Sequence, residues 1–296
     1  MKLESIILFL FGLVLGSFLN VLASRYEPER RIFNSRSLGG RSHCLSCGKK
    51  LRWFELVPII SFIIQRGRCS FCDRRLSFQY PFVELASGIA LAVIPYAVFE
   101  AFQVNFHRTA LGLPIWYYIL SIVFIVAALT LILLSAIDFR LRIIPDQTNV
   151  LIAVLGLAVA FIKSRYGIFG DFEGSFTEYY AAIFGLRNNV WLNHFSAAFL
   201  GLAFFGLIVV LTRGRGMGMG DVKLAGASGL LLGWPDAGLA FLLAFIAGAI
   251  WSIILMALGQ KKMKSTVPFG PFIALGIGLV IFFGKAILDY YFFLFS

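Results

Sequence analysis

The stretch Leu120-Ser121-Ile122-Val123-Phe124-Ile125-Val126-Ala127-Ala128-Leu129-Thr130-Leu131-Ile132-Leu133-Leu134-Ser135-Ala136-Ile137 carries no charge and runs directly into Asp138. Residues 114–137, 5–24 and 237–260 are each free of Asp, Glu, Lys and Arg. A helix needs about 20 apolar residues to cross a hydrocarbon layer about 30 Å thick. Three such segments in a chain of 296 residues, 59% of them hydrophobic, exclude an ordinary water-soluble domain. The fold class is an all-α polytopic membrane protein.

The net charge of +11 could suggest nucleic acid, but its placement argues for orientation instead. Twelve Lys and Arg fall within residues 25–80. By the positive-inside rule that segment is cytoplasmic, with attraction to anionic lipid as a secondary effect. Working outward, the charge breaks predict about eight spans: 5–24, 82–101, 115–137, 148–162, 195–212, 222–234, 237–259 and 270–294. Both termini then lie outside, and 20 of the 26 Lys and Arg lie inside. The first span is too long for a secretory signal, and its basic flank follows it, so it reads as a retained helix. Gly12 and Gly16 are spaced for close approach of another helix. Asn20 is a polar group expected to bond a neighbouring helix. The sixth span is short, and its small residues Ala225 to Gly229 suit tight packing or a re-entrant segment. The organisation expected is a first transmembrane helix (1–24), a cytoplasmic metal-binding domain (25–80) and a transmembrane core (81–296). Residues 163–193 form a long outer loop with no evident role.

All four cysteines lie in the basic segment, as Cys44-Leu45-Ser46-Cys47 and Cys69-Ser70-Phe71-Cys72, separated by 21 residues. A cytoplasmic, reducing location disfavours disulfides. Two C-x-x-C turns supply the four thiolates of a tetrahedral Zn²⁺ shell, and a closed shell leaves no position for substrate, so the zinc is structural. His43 is superfluous as a ligand and reads as a surface residue.

A carboxylate at membrane depth is expensive and seldom incidental. Asp138 ends the third span, and Asp221 opens the sixth within Gly216-Met217-Gly218-Met219-Gly220-Asp221. Both fall at inner ends, so they can meet. Paired carboxylates do not readily both ionise, which leaves one base and one acid, the combination that hydrolyses an amide. Each also has a plainer reading: Asp138 could pair with Arg140 or Arg142, and Asp221 could cap its helix. Asp146, after Pro145, reads as a helix start. No H-E-x-x-H and no phosphate-binding G-x-x-x-x-G-K-[ST] occurs.

With these residues in hand, the chain resembles the bacterial type IV prepilin leader peptidases, membrane aspartic proteases with a Gly-x-Gly-Asp motif. The resemblance runs in order through Gly12 to Val21 with Arg25, the paired cysteines with Gly67-Arg68, Tyr80-Pro81-Phe82-Val83-Glu84 with Gly88, Asp138, Gly218 to Lys223, and Pro268-Phe269-Gly270-Pro271. Gln79 stands where the family often has Arg, and Trp53 to Pro58 replaces a more usual Asn-Ile-Pro stretch. The resemblance implies that Asp138 and Asp221 are catalytic and that Cys44, Cys47, Cys69 and Cys72 hold zinc. It implies removal of the basic leader of prepilins or pseudopilins at the cytoplasmic membrane face. Methylation of the new N-terminus from S-adenosylmethionine would follow, although no methyl-donor motif is recognisable. The implied partners are these substrates and the bilayer, with no nucleic acid. Glu55, Asp73 and Glu84 are possible acidic contacts for a basic leader, or simply solvated. Alternatives are a peptidase without methylation, or a transporter or scaffold with a zinc recruitment module.

Overall fold

The computed structural model describes residues 3–28, 32, 39–44, 46–104, 112–169, 174–184, 189–259 and 267–295. Eight long helices alternate in direction: α1 (Leu3–Arg25), α2 (Gln79–Ala101), α3 (Ile115–Leu141), α4 (Asp146–Tyr166), α5 (Val190–Thr212), α6 (Met219–Leu232), α7 (Asp236–Ala257) and α8 (Gly270–Phe295). Seven of them are long and apolar enough to cross a membrane. The exception, α6, has 14 residues, which span only about 21 Å against a hydrocarbon layer of about 30 Å. All eight expected segments are helical and most run a few residues beyond the expected bounds, but seven of them, not eight, qualify as membrane spans, because the sixth is too short.

Helix α6 is short because the bundle encloses it. Every residue from Val222 to Leu232 is buried except Lys223. A Cβ on Gly229 would lie 2.5 Å from the Ala197 carbonyl oxygen of α5, and one on Gly156 of α4 would lie 2.7 Å from the Leu230 backbone. Its far end meets the start of α5, where Asn193 accepts a hydrogen bond from the Trp234 amide and donates to its carbonyl. Helix α6 thus runs from the end of the bundle that carries the cysteine segment to the opposite end, instead of turning back.

Helix α1 packs on α2 through the predicted glycines: a Cβ on Gly12 would lie 2.6 Å from the Ser87 carbonyl oxygen, and one on Gly16 2.6 Å from the Glu84 Cα. Asn20 donates to the Tyr80 carbonyl of α2 at 3.0 Å. At the same end Arg140, near the end of α3, donates to the Ala23 carbonyl at 2.8 Å and to that of Ser24. A continuous hydrophobic core, including Phe102, Phe124, Phe205, Leu224 and Ile277, joins α2 to α8.

The loop between α4 and α5 closes the far end. Asp236 accepts hydrogen bonds from the Ser175 and Thr177 hydroxyls and the Phe176 amide at 2.6, 2.8 and 2.9 Å. These bonds seat the Phe176 ring between Phe102 and Phe124. Composition gave no hint of this plug. Of the charged residues expected in outer and inner loops, Arg30, Arg31, Arg36, Arg108, Asp171, Glu173, Lys261, Lys262 and Lys264 lie outside the described residues.

Candidate functional site

The two predicted aspartates are assembled from four elements. Asp138 begins the last turn of α3, which ends when Arg142 adopts a left-handed conformation and its amide bonds the Asp138 carbonyl at 2.8 Å. The chain then passes Ile144 and restarts at Pro145, which fixes the start of α4. Asp221 sits in the first turn of α6. Its Oδ2 accepts the Gly218 amide at 3.1 Å, so the carboxylate caps its own helix, as the plainer reading expected. That bond holds Asp221 in place and does not remove it from the site.

Both side chains are buried, Asp138 at 4% exposure and Asp221 at 9%, and they lie close enough for the two carboxyl groups to interact. Ile144 fills the space between the helix starts. A Cβ on Gly220 would lie 3.2 Å from its Cβ, and one on Gly270 would lie 3.0 Å from its Cδ1 and 2.8 Å from Asp138 Oδ2. Gly270 therefore brings the first amide of α8 against Asp138, and no other residue fits there without displacing the carboxylate. Asp138 Oδ2 is buried and has no hydrogen-bond partner among the described residues. Arg140 does not neutralise it, because its guanidinium is engaged with carbonyls of α1. A desolvated carboxylate pair with one uncommitted oxygen is chemically equipped to bind and activate a water or to donate to a carbonyl.

At the rim, Asp146 does open α4, and it pairs with Lys223 at 2.7 Å. Gln79 donates to the Ala136 carbonyl at 3.4 Å and so ties α2 to the end of α3 that carries Asp138.

The cysteines form a second centre. Each C-x-x-C lies in a tight turn of the same design. Cys44 N–H bonds Lys49 C=O and Gly48 N–H bonds Cys44 C=O, and Cys69 N–H bonds Arg74 C=O and Asp73 N–H bonds Cys69 C=O, all at 2.9–3.0 Å. Single antiparallel bridges, His43 with Lys50 and Arg68 with Arg75, close the two turns. The turns bring all four Sγ atoms within 4.8 Å of one another. Cys44 and Cys72 are 3.9 Å apart, close to the roughly 3.8 Å edge of a tetrahedron with metal–sulfur bonds of about 2.3 Å. The Ser46 amide donates to the Cys44 sulfur at 3.4 Å, a contact that favours the thiolate a metal needs. The donor set and its spacing fit Zn²⁺. His43 is exposed and outside the cluster, as expected.

The three acidic residues suggested as leader contacts divide differently from expectation. Asp73 is exposed and paired with Arg68 at 2.9 Å. Glu55 and Glu84 are buried and bind the chain to itself. Glu55 accepts the Arg52 amide at 2.8 Å and the Ser70 hydroxyl at 2.6 Å. Glu84 accepts the Ile59 amide at 2.7 Å, fastening the cysteine segment to α2. A charge in sequence does not reveal which backbone amides lack partners, so neither role was visible beforehand. Gly270 was signalled only by its place in the Pro-Phe-Gly-Pro block.

Comparison with known proteins bears on both centres. A family model described as the bacterial peptidase A24 N-terminal domain matches residues 10–98. A second, described as the type IV leader peptidase family, matches residues 125–253. The prepilin leader peptidase/N-methyltransferase of Burkholderia pseudomallei strain 1026b is 32% identical over 294 residues, covering 92% of this chain and 83% of the relative. Proteins of the same name from Bacillus subtilis strain 168 and Pseudomonas aeruginosa are 28% and 27% identical. The alignments cover 96% of both chains for the first, and 95% of this chain and 91% of the relative for the second. No solved structure matches the chain.

Proposed function

This chain belongs to the type IV leader peptidase family, and from that premise we propose that Asp138 and Asp221 are the catalytic pair of a prepilin leader peptidase. The enzyme is a multi-pass protein of the bacterial inner membrane that processes type IV prepilins and methylates them. The cleaved bond lies at the end of the bundle that carries the cysteines. That end is the cytoplasmic one, because the Lys and Arg concentrate there.

One aspartate, ionised, takes a proton from water as the oxygen attacks the scissile carbonyl carbon. The other, protonated, hydrogen-bonds the carbonyl oxygen and stabilises its developing charge. Collapse of the tetrahedral intermediate breaks the C–N bond, and the proton gained by the first aspartate passes to the leaving amine. Burial excludes bulk water, and the Gly218 and Gly270 amides hold the carboxylates in place. The observation that carries the assignment is Asp138 Oδ2, buried beside Asp221 without a partner. Incubation of purified Asp138→Asn and Asp221→Asn proteins with a prepilin tests it. Both are expected to lose cleavage, and full activity in either removes that residue from the mechanism.

Cys44, Cys47, Cys69 and Cys72 hold a structural zinc, supported by their mutual spacing. Bound there, the ion supplies cross-linking of the two turns and no open coordination site. Metal analysis of the purified protein is expected to find one zinc per chain. S-adenosylmethionine is the donor in the second activity, as an electrophilic methyl group on a positively charged sulfur.

A further inference from the structure

Part of the cysteine segment is inside-out relative to a water-soluble module. Between residues 53 and 64 the only charged side chain, Glu55, is buried, while Trp53 is 80% exposed and Ile63 and Ile64 are 67% and 75% exposed. That arrangement is unfavourable in water and favourable against an apolar surrounding. Ile60, Ile63 and Ile64 fall at i, i+3 and i+4 of the short helix Ile60–Ile64, so they share one face. Trp53 and Phe54 open the 3₁₀ turn that precedes it, Trp53–Leu56, and both are exposed.

Contacts with α1 and α2 fix where this face lies. Glu84 accepts the Ile59 amide at 2.7 Å, which holds the turn before the short helix against the second turn of α2 and not beyond its end. Glu84 is level with Gly16 of α1, where a Cβ would lie 2.6 Å from the Glu84 Cα. From Gly16 the axis of α1 continues about 13 Å before the helix ends at Arg25. The Phe62 ring lies 5.4 Å from that of Phe78, and Phe78 begins an exposed row of Phe78, Phe82, Leu85 and Ile89. Those residues recur at i, i+4, i+7 and i+11 and form one stripe along α2, a helix long and apolar enough to cross the membrane. The short helix therefore abuts a lipid-facing surface. Basic side chains border it: the Arg52 guanidinium lies over the Phe54 ring, and Arg66, exposed, follows the helix.

We propose that residues 53–64 dock in the cytoplasmic leaflet of the bilayer. Ile60, Ile63 and Ile64 enter the acyl chains. Trp53 and Phe54 sit at the headgroup boundary, where aromatic rings gather, and Arg52 and Arg66 extend to the phosphates. Two observations select lipid over a protein as the occupant. The face adjoins the lipid-facing stripe of α2, and the cations at its edge match the anionic headgroups of a cytoplasmic leaflet. The choice of leaflet rests on the orientation given above; contact with lipid does not. Docked in this way, the cysteine segment lies on the membrane instead of projecting from it, with Glu55 turned inward to the Ser70 hydroxyl and the apolar face turned out.

Photolabelling of the full metal-loaded chain in single-copy nanodiscs of phosphatidylethanolamine and phosphatidylglycerol tests this. The probe is a phospholipid with a carbene precursor on its acyl chain, and labelled peptides are mapped by mass spectrometry. Neither a second copy nor a pilin is then present to cover the face, and no variant has to fold. Label within residues 53–64 as well as in the long helices is expected. Label in the long helices with none in 53–64 overturns the proposal and points to a protein as the occupant. Trp53 gives an independent reading, because the difference between the unaltered protein and Trp53→Phe isolates its fluorescence from that of the other tryptophans. That emission is expected to fall about twofold or more with lipid brominated in its upper acyl chains. Emission indifferent to bromine and freely quenched by aqueous acrylamide overturns the docking. Ile63→Asn with Ile64→Asn is expected to lower the label in 53–64 about threefold or more, with zinc content and the label in α2 unchanged. Undiminished label there shows that another face meets the lipid and overturns the assignment.

Discussion

The helical bundle and the cysteine segment are stabilised by opposite means. In the bundle, side chains from seven helices, α2 to α8, share one apolar core, and the aspartates sit where helix ends converge on it. Between residues 39 and 78 the buried side chains among those described are Cys44, Cys69 and Glu55, while Trp53, Ile63, Ile64 and Phe78 remain largely exposed. Packing positions the carboxylates, whereas ligation and a few carboxylate–amide bonds position the cysteine segment. One region cannot easily lose its geometry without unfolding, and the other depends on an ion.

The contrast can be broken most sharply at the aspartates. Asp138→Asn or Asp221→Asn is expected to lower cleavage by about 10³-fold or more, within the range for loss of acid–base catalysis, while zinc content stays unchanged. Loss of zinc in either variant would show that the regions are not independent. Next, Gly270→Ala places a methyl group 2.8 Å from Asp138 Oδ2. Cleavage is expected to fall about 10²-fold, as for a displacement of about 1 Å at a reacting group, with the helical circular dichroism retained.

Chelation of zinc, or Cys47→Ser with Cys72→Ser, probes the other side. Proteolysis within residues 39–78 is expected to accelerate strongly, while cleavage of a prepilin falls less than tenfold. A loss as deep as that of the aspartate variants would make the two regions one unit. Gly229→Ala tests packing alone: its methyl group meets the Ala197 carbonyl at 2.5 Å, and destabilisation of about 1–3 kcal/mol is expected from thermal melting.

The smallest effect is expected from acid. The Arg52 amide, then the Ser70 hydroxyl, holds the Glu55 pKa below its ordinary value. Its stabilising contribution is therefore complete above the ordinary carboxylate pKa and is lost as pH falls through the depressed one. Glu55→Gln is expected to flatten that part of the stability–pH curve, measured by melting of the metal-loaded protein.

Much of this was legible in the chain. Uncharged runs of twenty residues leave a helix little alternative to a membrane, and two C-x-x-C turns have few uses besides a metal. The glycine spacing at Gly12 and Gly16 anticipated the α1–α2 contact, and Asp146 was read correctly as a helix start. Less was legible where meaning depends on a partner remote in sequence. Glu55 and Glu84 looked like solvent-facing charges because the amides they satisfy are not marked by residue type. The plug at Asp236 escaped notice for the same reason, since its donors lie about sixty residues away.

By itself, the sequence determined the solvent this protein folds in, the order and approximate ends of its helices, and the residues with the chemistry to cleave a peptide or hold a metal. These follow from local composition and spacing, which the backbone converts directly into helices and turns. Only the tertiary structure decided that Asp138 and Asp221 are neighbours, that Gly270 and Ile144 shape the space around them, and that Glu84 fastens the cysteine segment to α2. Those facts depend on distances between segments far apart in the chain, and packing of the whole bundle sets such distances.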